Sequence, residues 1–190
     1  VPVLIITAVC AAELAARGWT ERAAHLMLVL ILFDVVFALA AALLARRRLG
    51  VPVTALDDKP AAQLDGLDAL RAAGIELRLG QDARLPERLS LLVKSPGVPV
   101  ANHLVRAALE AGVPVWSEVE LAARFLAGNA IVGITGTNGK TTTTELTGAL
   151  LRDAGLPVAV AGNVGRALAN VPDAVRPETI VVVELSSFQL

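Results

Sequence analysis

The stretch "GITGTNGKTTTTEL", Gly133 to Leu146, reads as a strand end, a glycine-rich turn and the start of a helix. Its spacing departs from the common phosphate loop. That pattern sets four residues between its first glycine and the Gly-Lys pair, whereas five separate Gly133 from Gly139 here. The flanks still supply the context such a loop needs: apolar "AIVGIT" before it and helical "KTTTTELTGALLRDAG" after it. A strand, a tight turn and a helix start aim backbone N–H groups and the positive end of the helix dipole at an anion. Gly136 and Gly139 let the main chain approach phosphate oxygens with no side chain in the way. The Lys140 amine can reach the β- and γ-phosphates, and the Thr141 hydroxyl can bind Mg²⁺. Gly136, Thr137, Asn138, Gly139, Lys140, Thr141 and Thr142 are therefore the candidate ATP grip.

Working outward, strands alternate with helices. "VPVTALDD" reads as a buried strand ending in acids, and "PAAQLDGLDALRAAG" as a helix with Pro60 near its start and Gly74 after it. "IELRLG", "LSLLVKS" and "VPVW" read as strands, while "NHLVRAALEAG" and "SEVELAARFLAG" read as helices, the latter with Ser117 as N-cap. Beyond the loop helix come the strands "LPVAVAG" and "ETIVVVELS". This alternation predicts parallel sheets and an α/β architecture. A break near Ala127 to Asn129 divides residues 51–127, a Rossmann-like domain, from residues 128–190, the start of a P-loop ATPase-type central domain.

The first fifty residues have another texture. Hydrophobic residues make up 55% of the chain, high for a globular domain, and the excess is concentrated here. "AAHLMLVLILFDVVFALAAALLA", Ala23 to Ala45, is long enough to span a bilayer and is followed by Arg46-Arg47-Arg48, as a cytoplasmic flank would be. Asp34 in mid-run argues the other way, for a buried helix of a soluble fold. On the spanning reading, residues 1–50 form an apolar helical segment whose residues 23–45 contact the membrane. A net charge of −1 gives no nucleic-acid surface, and Cys10 has no second cysteine to pair with. Cys10, Trp19, Trp116, His25 and His103 are expected to pack or face solvent, since no ligand pattern surrounds them. Asp57 and Asp58 either meet a uracil or ribose or simply make a turn.

"TGTNGKTT", Thr135 to Thr142, resembles the loop of the Mur ligase family, the ATP-dependent amide-bond-forming enzymes of peptidoglycan precursor synthesis, and that resemblance accounts for the spacing. "AGNVG" (Ala161 to Gly165) and "ELSSFQL" (Glu184 to Leu190) look like its D-glutamate-adding branch. "SPGVP" (Ser95 to Pro99) and "VWSEVELA" (Val115 to Ala122) fit the family's N-terminal domain. The resemblance covers Val51 to Leu190 and leaves the first fifty residues aside.

What the resemblance implies is a cytoplasmic ligase that uses ATP and Mg²⁺ to join D-glutamate to UDP-N-acetylmuramoyl-L-alanine through an acyl phosphate. It implies Lys140 on the phosphates, Thr141 and Glu184 on Mg²⁺, Asn163 and Ser186 on the muramoyl substrate, and Ser95 and Gly97 lining the uridine pocket. Two departures are evident. No glycine-rich turn precedes "VPVTALDD", and the family's further central-domain residues and its C-terminal domain do not occur between Val1 and Leu190. The expectation is a catalytically inactive fragment. Two alternatives stand beside it: a membrane-tethered nucleotide-binding module without ligase activity, and a junction with a membrane transferase of the same pathway, suggested by "GWTE" before an apolar helix.

Overall fold

The computed structural model describes residues 28–31, 35–64, 66–95, 98–162 and 165–186. They fall into two compact units, one within Gly18–Leu121 and the other from Ala122 onward. Both are α/β, as the alternation predicts.

In the first unit, five parallel strands lie in the order β3-β2-β1-β4-β5. They are β1 (Leu28–Ile31), β2 (Val53–Asp57), β3 (Glu76–Leu79), β4 (Leu91–Lys94) and β5 (Val115–Ser117). The helices are α1 (Val35–Leu49), α2 (Leu67–Ala72), α3 (His103–Glu110) and α4 (Glu118–Arg124), the unit boundary falling within α4. β2 is buried along its length, and Leu91, Leu92 and Val93 of β4 are fully buried. Such strands have neighbours on both sides and cover on their faces, so their sequences run apolar without alternation. Leu104, Val105 and Ala108 of α3 close over Leu56, Leu92 and Val98. Each large side chain so covered contributes on the order of 1.5–3 kcal/mol.

Local chemistry sets the helix ends. Asn102 caps α3, its Oδ1 accepting from the N–H groups of Leu104 (2.9 Å) and Val105 (3.4 Å). Ser117 caps α4 as predicted, its Oγ accepting from the Glu120 N–H at 3.1 Å. The segment "PAAQLDGLDALRAAG" is not one helix. It forms a 3₁₀ turn, Ala61–Gln63, and then the short α2, because Gly66 at φ 77° takes a left-handed conformation that no continuous helix admits. α2 ends as predicted before Gly74, where Ile75 N–H returns to the Leu70 carbonyl at 3.0 Å.

The apolar front requires a correction. The run from Ala23 to Ala45 is not a single spanning helix: its described part is strand β1, paired on one side with β2 and on the other with β4, and then α1. No helix among the described residues is long and apolar enough to cross a membrane. Residues 28–49 thus belong to the same α/β unit as Val51 onward, rather than to a separate segment. A central parallel strand and the helix packed on it are both apolar, so their concatenation passes a length-and-hydropathy criterion for a membrane helix. The basic flank has a local partner as well. Arg46 donates from Nη1 to the carbonyls of Ala73 and Gly74 at the end of α2, the second at 2.9 Å, where a cation meets the negative end of a helix. Cys10, Trp19 and His25 lie outside the described residues.

In the second unit, three parallel strands lie in the order β6-β8-β7. They are β6 (Ile131–Ile134), β7 (Val158–Gly162) and β8 (Ile180–Glu184), and α5 (Lys140–Asp153) packs on all three. The centre of the sheet is the buried triplet Val181, Val182 and Val183. Asn129 fastens the entry to β6. Its Nδ2 lies 2.6 Å from the Arg176 carbonyl, 3.0 Å from that of Thr179 and 3.3 Å from that of Pro177. The turn before β8 is thereby held against the strand that leads into the loop.

Candidate functional site

The loop from Thr135 to Gly139 joins the carboxyl end of β6 to the amino end of α5. Gly139 caps α5 at φ 78°, ψ 2°, a conformation a side chain would strain. Thr143 N–H donates to the Gly139 carbonyl at 2.9 Å, so the N–H groups of Lys140, Thr141 and Thr142 head the helix without intrahelical acceptors. The Lys140 amine arches over the turn, donating to the Gly136 carbonyl at 2.8 Å and the Thr137 carbonyl at 3.4 Å. Thr144 is buried and turned inward, its hydroxyl donating to the Lys140 carbonyl at 2.8 Å. Thr141, Thr142 and Thr143 are exposed. One threonine of the run thus anchors the first turn and three face solvent.

Strand pairing brings Glu184 to this loop. β8 runs beside β6 with Glu184 opposite Ile134, the residue before Thr135, and Leu185 N–H donates to the Ile134 carbonyl at 2.8 Å. Glu184 is buried, and its carboxylate makes no hydrogen bond or ion pair among the described residues. On the other side Glu184 is opposite Gly162, where the two backbones come unusually close. A Cβ on Gly162 would overlap the Glu184 carbonyl oxygen and stand 2.6 Å from its nitrogen, at a backbone φ of 136°. "AGNVG" and "ELSSFQL" are therefore linked through one tight crossing. Ser186, half-buried, follows two residues beyond Glu184. Asn163 lies outside the described residues.

A loop of main-chain donors, an ammonium, a hydroxyl and a buried carboxylate with no partner among the described residues is a donor set that suits a nucleotide polyphosphate and a hard divalent cation. A hollow of about 510 Å³ elsewhere in this unit takes in Arg152, Arg166 and the first residues of β7. It lies at the beginning of β7, and open parallel sheets hold their ligands at strand ends. The loop is the better candidate.

The first unit has its own mouth at the carboxyl ends of β2 and β4. Asp57 closes β2, buried, with Oδ1 accepting from the Lys59 N–H at 2.8 Å. Burial pushes its carboxyl above the ordinary value, opposed by the Lys59 N–H and ammonium and reinforced by neighbouring Asp58. Asp58 faces α3: Asn102 Nδ2 is 3.4 Å from its Oδ2, and His103 Nε2 is 3.6 Å from its Oδ1. The acids therefore make the turn, and Asp58 also steadies the start of α3. Ser95, directly after β4, is buried. Gly97 lies outside the described residues. The sequence reading passed over Lys94, a charged residue closing an otherwise apolar strand; the only hint was that contrast in "LLVKS".

Comparison with known proteins agrees with this geometry. Residues 134–190 match the Mur ligase middle domain. The chain is 52% identical over 152 residues to UDP-N-acetylmuramoylalanine--D-glutamate ligase of Anaeromyxobacter dehalogenans, covering 80% of this chain and 32% of that protein. It is 46% identical over 154 residues to the ligase of the same name from Frankia casuarinae, with the same coverage of each chain. The chain thus spans about a third of the length of these relatives. A match of 152 residues is longer than Val51–Leu190, so it takes in part of the apolar front, in keeping with α1 belonging to the first unit. Among solved structures, a UDP-N-acetylmuramate:L-alanyl-gamma-D-glutamyl-meso-diaminopimelate ligase from Neisseria meningitides is similar in fold, with a TM-score of 0.51 at 24% identity, over 83% of this chain and 52% of that one.

Proposed function

We propose that this chain, whose residues 134–190 match the Mur ligase middle domain and which resembles D-glutamate-adding ligases, carries the nucleotide-handling parts of an enzyme joining D-glutamate to UDP-N-acetylmuramoyl-L-alanine. The observation that carries the proposal is the β6–β8 register, which sets buried Glu184 beside the start of the glycine loop. The names of the relatives supply the amino acid and its acceptor.

In the proposed reaction the γ-phosphoryl group of ATP passes to the alanine carboxylate, giving an acyl phosphate and ADP. The amine of D-glutamate then attacks the acyl carbon, phosphate leaves, and the nitrogen loses a proton to give the amide. The difficulty is electrostatic, because a carboxylate must approach a polyphosphate, and fixed donors and cations offset their repulsion. Gly136, Thr137, Asn138, Gly139 and Thr142 cradle the phosphates through the loop and the head of α5. Lys140 exchanges its carbonyl contacts for phosphate oxygens. Thr141 and Glu184 hold Mg²⁺, which when bound neutralises phosphate charge. Ser95 and Gly97 line the uridine pocket, while Asn163 and Ser186 orient the muramoyl end. We assign the reaction to the cytoplasm on the resemblance to the Mur ligase family.

Titration of the 190-residue chain with ATP and Mg²⁺ tests the grip. Lys140→Ala should weaken binding about 100-fold, the size of losing charge-assisted contacts. Titration with UDP-N-acetylmuramoyl-L-alanine tests the substrate. Binding of ATP but not of this ligand would leave a nucleotide module and remove the ligase assignment.

A further inference from the structure

In the first unit the chain steps outward from β1 to β2 and β3, then returns to the other side for β4 and β5. The direction of progress reverses between β1 and β4, and at such a reversal an open parallel sheet leaves a crevice at the strand ends. Lys94 stands at that crevice. It closes β4, opposite Ile31 at the end of β1 and Ser117 at the end of β5.

Its side chain is half-buried, and its amine donates to the Val98 carbonyl at 3.1 Å, over a turn in which Val98 N–H meets the Ser95 carbonyl at 3.0 Å. An ammonium carries three hydrogens, and this is the one acceptor it has among the described residues. No carboxylate there lies within ion-pair distance of it. Burial pulls the amine's pKa below the usual lysine value, the response of a cation that lacks a counter-charge. Asp57, one strand beyond β1, is engaged by Lys59 N–H, and Asp58 by Asn102 and His103. These two acids are thus otherwise occupied.

We infer that Lys94 is a binding residue for the diphosphate of the uridine nucleotide, supplying from the end of β4 a charge at the crevice between β1 and β4. The inference rests on the proposed reading of this unit as the uridine-nucleotide domain. It also bears on that unit's unusual sequence. No glycine-rich turn precedes β2 to offer main-chain donors, and a fixed ammonium provides attraction to phosphate without one. The competing role is purely mechanical, with Lys94 strapping the Ser95–Val98 turn and touching no ligand.

The two roles separate on ligands that differ only in phosphate. The 190-residue chain and its Lys94→Gln and Lys94→Arg variants are titrated with uridine and with UDP, followed by NMR chemical shifts. Gln keeps a donor for the Val98 carbonyl but carries no charge. The expected result is that the parent prefers UDP to uridine and that Lys94→Gln loses about tenfold in UDP affinity, the size of one charge-assisted hydrogen bond. Its uridine affinity should stay within about twofold of the parent's, and Lys94→Arg should retain the UDP preference. Equal losses for both ligands, or no loss for either, would overturn the inference in favour of the strap. A parent that binds uridine and UDP equally would also overturn it while leaving the uridine reading intact. A parent that binds neither ligand removes that reading, and the inference with it.

Discussion

β6 with α5 and β1 with α1 are both strand–loop–helix units in parallel sheets, yet they meet their surroundings differently. β6 has β8 on one side, and its helix begins at a left-handed glycine whose loop carries an ammonium over its own carbonyls. β1 has a strand on each side, and α1 begins at Val35 in sequence without any glycine since Gly18. On the proposed reading, the first arrangement concentrates nucleotide binding in one loop. The second places β1 at the reversal point of its sheet and leaves charge at the mouth to β4, through Lys94. On the two proposals, similar topology would serve anions in two ways, by main-chain donors at a helix start or by a side chain on the neighbouring strand.

The sharpest way to break this comparison is to attack β1 itself. Leu30 is opposite Ala55 in β2 and Val93 in β4. Leu30→Pro removes a ladder hydrogen bond from a strand flanked on both sides and should cost about 3 kcal/mol or more in chemical denaturation. A stability unchanged by this substitution would remove β1 from the sheet. Gly162→Ala strikes the other unit at the β7–β8 crossing, where a Cβ meets the Glu184 backbone. A loss of roughly 2–3 kcal/mol is expected from overpacking and backbone strain, again by denaturation.

Smaller effects sharpen the picture. Asn129→Ala leaves the carbonyls of Arg176, Pro177 and Thr179 without their shared donor and should cost about 1–3 kcal/mol. Faster amide exchange at β6 and the turn before β8 would locate the damage. Asn102→Ala removes the α3 cap and should cost about 1 kcal/mol. Asn102→Asp, which can still accept from Leu104 and Val105, should recover most of it.

The smallest effect is a matter of sign with pH. Burial raises the Asp57 carboxyl above its ordinary value, so the folded chain holds this proton more tightly than the unfolded chain. Stability from this group is therefore full below the unfolded value and declines as pH rises through the raised folded value. Asp57→Asn, which can still accept from Lys59 N–H, should melt slightly above the parent near neutral pH, with the gap closing in acid. A gap that widens in acid would reverse the assignment.

Legibility followed local chemistry. The strand, glycine turn and helix start around Lys140 could be read from residues alone, because glycine, lysine and threonine at those positions have few other reasons to occur together between a strand and a helix. The caps at Ser117 and Asn102 follow from short polar side chains just ahead of helical periodicity, although only Ser117 was named as one. β1 was hidden because a strand with two neighbours shows no alternation, and the apolar α1 follows it closely. α2 was overextended because Gly66 interrupts a run that otherwise has helical spacing. The constraint on Gly162 exists only once β7 pairs with β8, and the lack of an ion-pair partner for Lys94 among the described residues only once Asp57 and Asp58 have found other partners. Both are tertiary facts, invisible to spacing.

The central claim is that two nucleotide sites reside in two units, and hydrogen–deuterium exchange of the 190-residue chain tests it most directly. Mass spectra would be compared without ligand, with Mg²⁺ and ATP, and with UDP-N-acetylmuramoyl-L-alanine. The account predicts that ATP slows exchange across Thr135 to Thr143 and at the end of β8, while the uridine ligand slows it at the ends of β2 and β4, around Asp57 to Lys59 and Lys94 to Val98. Protection by ATP at the β2 and β4 ends instead, or by neither ligand anywhere, would contradict it.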